Sequence, residues 1–203
     1  MRNFLLLCGF VALLFVPLKG VAAQDAEPLP LGEALPEATL YDVKQGSSVS
    51  TSAMQGAQAT VVIFWSNQCL WTDRYEERLQ ALRTDMTGNG VQFVLVNAND
   101  ANAFASESRS ASAERAQSYE QMRYLRDDDA TFARQMGAER TPHAFLFDAS
   151  GTLVYRGAID DSPSTPNDVG TAYLREAIGA VVSGASVPEP NTRPFGCMIR
   201  LPR

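Results

Sequence analysis

Histidine and cysteine are scarce in this chain. Its 203 residues contain three cysteines and a single histidine, His143. A structural zinc ion needs about four Cys or His ligands at close spacings, and this chain cannot supply such a set. A copper-delivery site would need a second sulfur close to the first, so it is also disfavoured. We therefore expect no metal and no cofactor at the functional site.

Positive charge is also in short supply. The chain has 17 basic and 23 acidic side chains, and two of the basic ones, Arg2 and Lys19, lie in an N-terminal leader. Without that leader 15 basic side chains face 23 acidic ones, which gives a net charge near −8. A chain of this charge is not expected to bind nucleic acid.

The long apolar run of the sequence lies at its N-terminus. Phe4–Leu18 follows Arg2 and leads to the small residues Val21–Ala23. This is the anatomy of a secretory signal peptide, and the run is shorter than the roughly 20 residues of a membrane span. We predict cleavage after Ala23, a periplasmic or secreted protein, and no stable membrane span after cleavage. A retained membrane anchor is the alternative.

Cleavage would leave few thiols in the exported protein. Cys8 departs with the leader, so Cys69 and Cys197 are the only cysteines that remain. Disulfides form and persist in an exported compartment, which makes these two residues candidates for pairing.

A strand, a helix and a second strand form the centre of the chain. Ala59–Trp65 is a continuous β-branched and aromatic run, as expected for a strand buried on both faces. A helix is predicted from Leu70 to about Met86, with Ser66–Asn67 as its cap. Val91–Val96 is predicted to be the next buried strand, which completes a βαβ unit. Further elements are expected as strands at 38–43 and 122–125, a helix at 130–136, a hairpin of 143–147 with 153–157, and a helix at 169–182.

Two of the expected features are harder to interpret. Residues 98–119 suggest an exposed, partly helical excursion whose detail the sequence does not give. The acidic triplet Asp127–Asp129 could be mistaken for a metal site. A charged helix start is the favoured interpretation, because hard cations need several converging oxygens rather than three consecutive side chains.

Cys69 occupies a position where chemistry is expected. It comes four residues after Trp65, just beyond the carboxyl end of a buried strand and at the start of the next helix. Ligands bind at that edge of open α/β sheets. The helix dipole and free N–H groups at a helix start favour the thiolate, which is the reactive species. The alternative is a buried, inert cysteine.

These residues resemble the thioredoxin superfamily. The resemblance is carried by Phe64–Trp65 ahead of Cys69, by Thr141–Pro142 at the start of a strand, and by the hairpin from Phe147 to Gly157. It implies an α/β, thioredoxin-like fold: a central mixed sheet flanked by helices, with an N-terminal extension and a C-terminal tail. It also implies that Pro142 follows a cis peptide bond and that its loop packs beside Cys69.

The sequence is similar, more closely, to bacterial redoxin-like proteins of the peroxiredoxin (AhpC/TSA) branch. Matching stretches are Ser66–Cys69 with Tyr75–Glu76, then Tyr155–Asp161, and finally Arg193–Cys197. The resemblance implies a thiol oxidoreductase that acts on a protein disulfide or a peroxide, with electrons from an unidentified thiol donor. The resulting organisation is a signal peptide at 1–23, an extended lead-in at 24–37, a thioredoxin-like domain at 38–184 and a proline-rich tail at 185–203.

The sequence departs from the thioredoxin pattern at the site itself. Thioredoxins carry Cys-x-x-Cys, whereas Thr72 stands at the second position here and Leu70 replaces the usual proline. An attacked disulfide would remain a mixed adduct unless another thiol reached it. Cys197 is the candidate for that thiol. It could resolve Cys69 during catalysis, clasp it permanently, or stay unpaired with it.

Other side chains are secondary candidates. Thr72 could donate a hydrogen bond to the Cys69 sulfur, although a simple helix-start hydroxyl would explain it as well. Trp65 and Trp71 could line the substrate surface together with Thr141 and Pro142, although apolar packing is the default explanation for both tryptophans.

His143 could serve as a general base, but strand alternation favours a structural role, because neighbouring side chains on a strand point to opposite faces. The rival to the enzyme as a whole is a non-catalytic thioredoxin-fold binding domain that has lost its resolving cysteine.

Overall fold

A computed structural model describes residues 28–202. The predicted signal peptide lies outside the described residues. The predicted βαβ unit is confirmed: strand β3 comprises Ala59–Phe64, helix α1 Leu70–Asp85 and strand β4 Val91–Asn97. Every residue of β3 is buried, because the strand lies inside the sheet and is covered on both faces.

The central sheet has seven strands and is mixed, as expected. Besides β3 and β4 it contains β1 Thr39–Asp42, β2 Ser47–Ser50, β5 Arg123–Arg126, β7 His143–Asp148 and β8 Leu153–Gly157. The strand order is β2-β1-β5-β4-β3-β7-β8. Strands β3, β4 and β5 run parallel, and all other pairings in this sheet are antiparallel.

Helices cover both faces of this sheet. Helix α1 packs on one face together with α4 (Tyr173–Ser183), while α3 (Thr131–Met136) packs on the other. Helix α2 (Arg109–Arg115) lies in the predicted excursion. Helix α4 begins later than predicted, since the Asp161 carboxylate accepts the N–H groups of Gly170 and Thr171 and holds them in a loop.

The acidic triplet serves a helix start, as the sequence suggested. The carboxylate of Asp127 accepts the backbone N–H groups of Phe132 and Ala133 in the first turn of α3. Burial raises the pKa of Asp127 to about 6, and these hydrogen bonds offset part of that effect. Within residues 28–202, no three His, Cys, Asp or Glu side chains are grouped so as to hold a metal.

The C-terminal tail is more ordered than an extended proline-rich segment. Strand β9 (Cys197–Met198) pairs antiparallel with β6 (Arg140–Thr141), and the N–H of Ile199 donates to the carbonyl of Glu139 at 2.9 Å. Upstream, the backbone of Arg156 is bonded to Pro190 and Thr192. The tail is therefore attached to the domain on both sides of Cys197.

In the described part of the chain, no helix combines the length and apolarity needed to cross a bilayer.

Candidate active site

Cys69 lies where the sequence placed it, at the junction of β3 and α1. It is the residue just before the helix, and its carbonyl accepts the N–H groups of Thr72 at 3.0 Å and Asp73 at 3.3 Å. The expectation that Ser66–Asn67 would cap this helix is wrong, because those side chains bind elsewhere and no side chain caps α1. The sulfur therefore lies at the positive end of a 16-residue helix dipole.

The structure joins Cys69 to Cys197 in a disulfide. The two residues are 128 positions apart in sequence, and their Cα atoms are 6.1 Å apart. The unpaired alternative is thereby excluded. The β6–β9 ladder explains how the partners meet, since it places Cys197 directly opposite Thr141, and Thr141 lies beside Cys69.

The loop that carries Pro142 lies against the disulfide. The Thr141–Pro142 peptide bond is cis, as the resemblance implied. The Thr141 carbonyl oxygen is 3.1 Å from the Cys69 Sγ atom. The structure thus brings together four of the predicted site residues: Cys69, Cys197, Thr141 and Pro142.

Gly196 lets the tail approach this loop closely. A Cβ atom added at Gly196 would lie 2.1 Å from the Thr141 carbonyl oxygen and 3.1 Å from the Pro142 nitrogen. No larger residue fits at this position without a shift of the backbone. The glycine that precedes Cys197 is therefore a structural requirement of the disulfide.

The two sulfur-bearing residues differ in exposure. Cys69 is only 2% exposed, whereas Cys197 is partly exposed. Three large apolar side chains close to them in sequence are open to solvent: Leu70 at 56%, Phe195 at 48% and Met198 at 63%. Of the two bonded residues, Cys197 is therefore the more exposed one.

Of the two predicted tryptophans, only Trp71 is at this surface. Its half-buried ring meets the Phe195 ring edge-on with centroids 4.7 Å apart. The prediction that Trp65 lines the substrate surface is wrong. Trp65 is fully buried, and its Nε1 donates to the Tyr119 hydroxyl at 2.9 Å, so it belongs to the core between the sheet and its covering helices.

Thr72 supports the backbone rather than the sulfur. Its buried hydroxyl lies 2.8 Å from the Ser66 carbonyl and 2.6 Å from the Cys69 carbonyl. A hydroxyl has a single proton to donate, and here it is directed to these carbonyl oxygens. The expected hydrogen bond to the Cys69 sulfur is not formed, and Thr72 instead closes the turn that presents Cys69.

A buried carboxylate that the sequence did not reveal holds the loop before Cys69. Glu107 is fully buried and accepts three hydrogen bonds: from the Ser66 hydroxyl at 2.5 Å, the Asn67 N–H at 2.9 Å and the Asn97 amide at 2.6 Å. It lies in the excursion of residues 98–119, where no periodic pattern distinguished it from the neighbouring polar residues. Only the fold shows that Glu107 lies next to Ser66 and Asn67, just beyond the end of β3.

His143 has a structural place. It is 3% exposed, and its ring lies 4.3 Å from that of Phe145, on the side of the sheet opposite α1. Burial, reinforced by the charge of Arg156, lowers the pKa of His143 to about 3. The imidazole is thus neutral at physiological pH and is directed away from the helix that presents Cys69.

Comparison with known proteins decides the family. A family model described as Redoxin matches residues 30–173. The chain belongs to the redoxin family. No curated protein matches it.

Solved structures agree with this redoxin assignment. An uncharacterized conserved protein from Geobacillus kaustophilus is 31% identical with a TM-score of 0.80, and the match covers 86% of this chain and 93% of that one. A hypothetical protein from Sinorhizobium meliloti is also 31% identical, with a TM-score of 0.79 and coverage of 87% and 97%. A structure from Chlorobium tepidum, described as a candidate thiol:disulfide interchange protein DsbE, is 20% identical with a TM-score of 0.55 and coverage of 77% and 97%. The last likeness shows the thioredoxin-like fold alone.

Proposed function

We propose that this redoxin is an exported thiol oxidoreductase that cycles Cys69 and Cys197 between disulfide and dithiol. One observation carries the proposal: the disulfide joins a cysteine at a helix start to a cysteine in the tail, at the carboxyl edge of the parallel strands. Ligands bind at that edge, and a helix start favours the thiolate. The N-terminal leader supports export.

The reductive step on a protein disulfide would proceed through Cys69. Its thiolate attacks one substrate sulfur, the substrate disulfide breaks, and one substrate thiolate leaves. Cys197, as thiolate, then attacks the Cys69 sulfur, which releases the second substrate thiol and closes the disulfide. The substrate thus gains two electrons from the protein. A dithiol donor then supplies two electrons to the protein by reducing the Cys69–Cys197 disulfide.

A peroxide would use the same pair. The Cys69 thiolate attacks one peroxide oxygen, forming a sulfenic acid and releasing an alcohol or water. Cys197 condenses with that sulfenic acid, and water leaves. Both routes end in the same disulfide, so the structure of the oxidised protein is compatible with either substrate.

The surrounding residues would have distinct roles. Trp71 is half-buried beside the exposed Phe195, so we assign it to substrate contact. Thr141 and Pro142 are buried next to Cys69, and we assign their backbone to the same contact. Thr72 holds the turn that presents Cys69 and is a positioning residue.

A second candidate is a binding domain whose disulfide is a permanent clasp. It is favoured by the attachment of the tail on both sides of Cys197 and by the 2% exposure of Cys69. Turnover separates the two candidates, because a clasp has no need to open.

The test compares three proteins: wild type, Cys69→Ser and Cys197→Ser. Each is supplied with dithiothreitol as electron source and with either insulin or hydrogen peroxide as substrate. We expect multiple turnovers for wild type and none for Cys69→Ser. Cys197→Ser, mixed with substrate before any dithiothreitol is added, should hold a mixed disulfide or a sulfenic acid on Cys69, detectable by mass. Unchanged turnover in Cys69→Ser, or no turnover in wild type with either substrate, would refute the enzyme.

A further inference from the structure

We propose that the electron donor attacks Cys197 and that Cys69 is the leaving thiolate. This inference rests on the proposed function, since it concerns the step that reopens the disulfide. It assigns to the tail cysteine a role beyond resolving Cys69: Cys197 is the sulfur through which electrons come into the protein.

Access to the two sulfurs supports this order. A thiolate must reach the sulfur that it attacks, and exchange rates depend on that access. The residue Cys69 is 2% exposed, and the Thr141 carbonyl oxygen is 3.1 Å from its sulfur. The residue Cys197 is partly exposed, and Phe195, two positions before it, is open to solvent. A donor therefore meets Cys197 first.

The leaving group points the same way. Exchange is faster when the departing thiol has the lower pKa. Attack on Cys197 expels Cys69, whose negative charge would lie at the start of the 16-residue α1. Attack on Cys69 would instead expel Cys197 from a two-residue strand, where no helix start stabilises a thiolate.

The hydrogen bonds of the tail would hold Cys197 in place while it forms a mixed disulfide with the donor. The N–H of Ile199 is bonded to Glu139, and the N–H of Asp100 to the Arg200 carbonyl at 2.7 Å. These bonds do not involve the disulfide, so Cys197 stays at the surface while it carries the donor. The second thiol of a dithiol donor then attacks the donor's own bridging sulfur. Cys197 leaves as the thiolate, the donor becomes a disulfide, and the protein gains two electrons and two protons.

The first experiment locates the adduct in the wild-type protein. Oxidised protein is mixed with limiting glutathione, quenched in acid after a short time, and its free thiols are alkylated before digestion with trypsin. The two cysteines fall in separate tryptic peptides, residues 45–74 and 176–200. The second peptide extends past Arg193 because the Arg193–Pro194 bond resists trypsin.

We expect glutathione on the Cys197 peptide and alkylation on the Cys69 peptide, by more than about ten to one, since access and leaving group act together. An equal division, or glutathione mainly on Cys69, would overturn this inference and leave the proposed function standing. If no thiol opened the disulfide, both this inference and the proposed function would be refuted.

The second experiment is the control for the folded structure. The oxidised wild-type protein is unfolded in urea before the same glutathione step, so that neither burial nor the helix start distinguishes the two sulfurs. Glutathione should then divide about equally between the two peptides. A preference for Cys197 that persists in urea would contradict the inference.

Discussion

Replacing Gly196 by alanine should weaken the Cys69–Cys197 disulfide without touching either sulfur. The new Cβ would lie 2.1 Å from the Thr141 carbonyl oxygen, although a Cβ atom essentially never comes within 3.0 Å of a heavy atom beyond its own residue and its chain neighbours. The tail must therefore move by nearly one ångström. In the reduced protein only the hydrogen bonds of the tail resist this shift, whereas in the oxidised protein the bond to Cys69 also holds Cys197 in place.

The size of this effect follows from the cost of overpacking. Extra methyl groups in well-packed places cost about 1–3 kcal/mol. For a two-electron couple, 30 mV corresponds to about 1.4 kcal/mol, so the midpoint potential should rise by roughly 20–65 mV. The sign is upward because the strain destabilises the oxidised form.

The assay is a titration in glutathione or dithiothreitol redox buffers, with the dithiol fraction read by alkylation and mass. Gly179→Ala is the matched control, because Gly179 lies in α4 and a Cβ atom added there would meet no neighbouring atom within 4 Å. Its potential should equal that of the wild type. A Gly196→Ala potential indistinguishable from both would refute the argument that the tail is seated tightly against the Thr141 loop.

Three further changes test the surroundings of the site. Trp65→Phe should lower the free energy of unfolding in urea by about 1–3 kcal/mol, because it removes the hydrogen bond to Tyr119 and leaves a cavity. His143→Phe should remove an acid instability: the unfolded state binds a proton on His143 from pH 6.5 downward, while the folded state does not until about pH 3. Wild type should thus lose about 1.4 kcal/mol per pH unit over that range relative to the variant. Glu107→Ala should lower the free energy of unfolding by roughly 3 kcal/mol or more, since each buried donor left without an acceptor costs about 1–3 kcal/mol.

Each of these has a clear contrary result. An unchanged free energy of unfolding in Trp65→Phe would contradict the placement of this tryptophan in the core. If the free energy of unfolding changed by the same amount between pH 8 and pH 5 in wild type and in His143→Phe, the low pKa of His143 would be contradicted. Glu107→Gln is the control for the alanine change, because it keeps an acceptor for Asn67 while the Ser66 hydroxyl can rotate to accept from the new amide. If Glu107→Ala and Glu107→Gln lost the same free energy of unfolding, the hydrogen bonds of Glu107 would not explain its contribution to stability.

The elements near the core were predictable because their sequence signals are local and strong. The runs at 59–65 and 91–96 are apolar on both faces, and a helix pattern lies between them. The observed strands and helix agree with those predictions within one or two residues. The start of α4 was less accurate, because side-chain hydrogen bonds from Asp161 decide it, and such bonds leave no periodic pattern.

The position of the tail could not be predicted in detail. A two-residue strand such as β9 has no periodicity, and it pairs with β6 over 50 residues earlier in the chain. The resemblance did identify Arg193–Cys197 as a matching stretch. The structure supplies its physical reason: Gly196 permits the close approach and Cys197 forms the disulfide.

The motif after β8 is explained in the same way. Asp160 accepts hydrogen bonds from the Tyr75 hydroxyl at 2.8 Å and from the Arg78 guanidinium at 2.6 Å, so it fastens α1 to the end of the hairpin. Two stretches that resembled the family separately are thus one contact in the fold. The site residues were predictable where the fold resemblance placed them, whereas the roles of Thr72 and Glu107 depend on side-chain directions that sequence does not give.

The central claim is that the Cys69–Cys197 bond opens and closes with each turnover. A single-turnover experiment tests it directly: reduced protein is mixed with stoichiometric substrate, quenched in acid at intervals, alkylated and mapped without reduction. The cross-linked pair of peptides 45–74 and 176–200 should be absent at the start and should appear mole for mole as substrate is consumed. Consumption of substrate while both cysteines remain alkylatable, or a cross-link that no donor can open beforehand, would contradict the account.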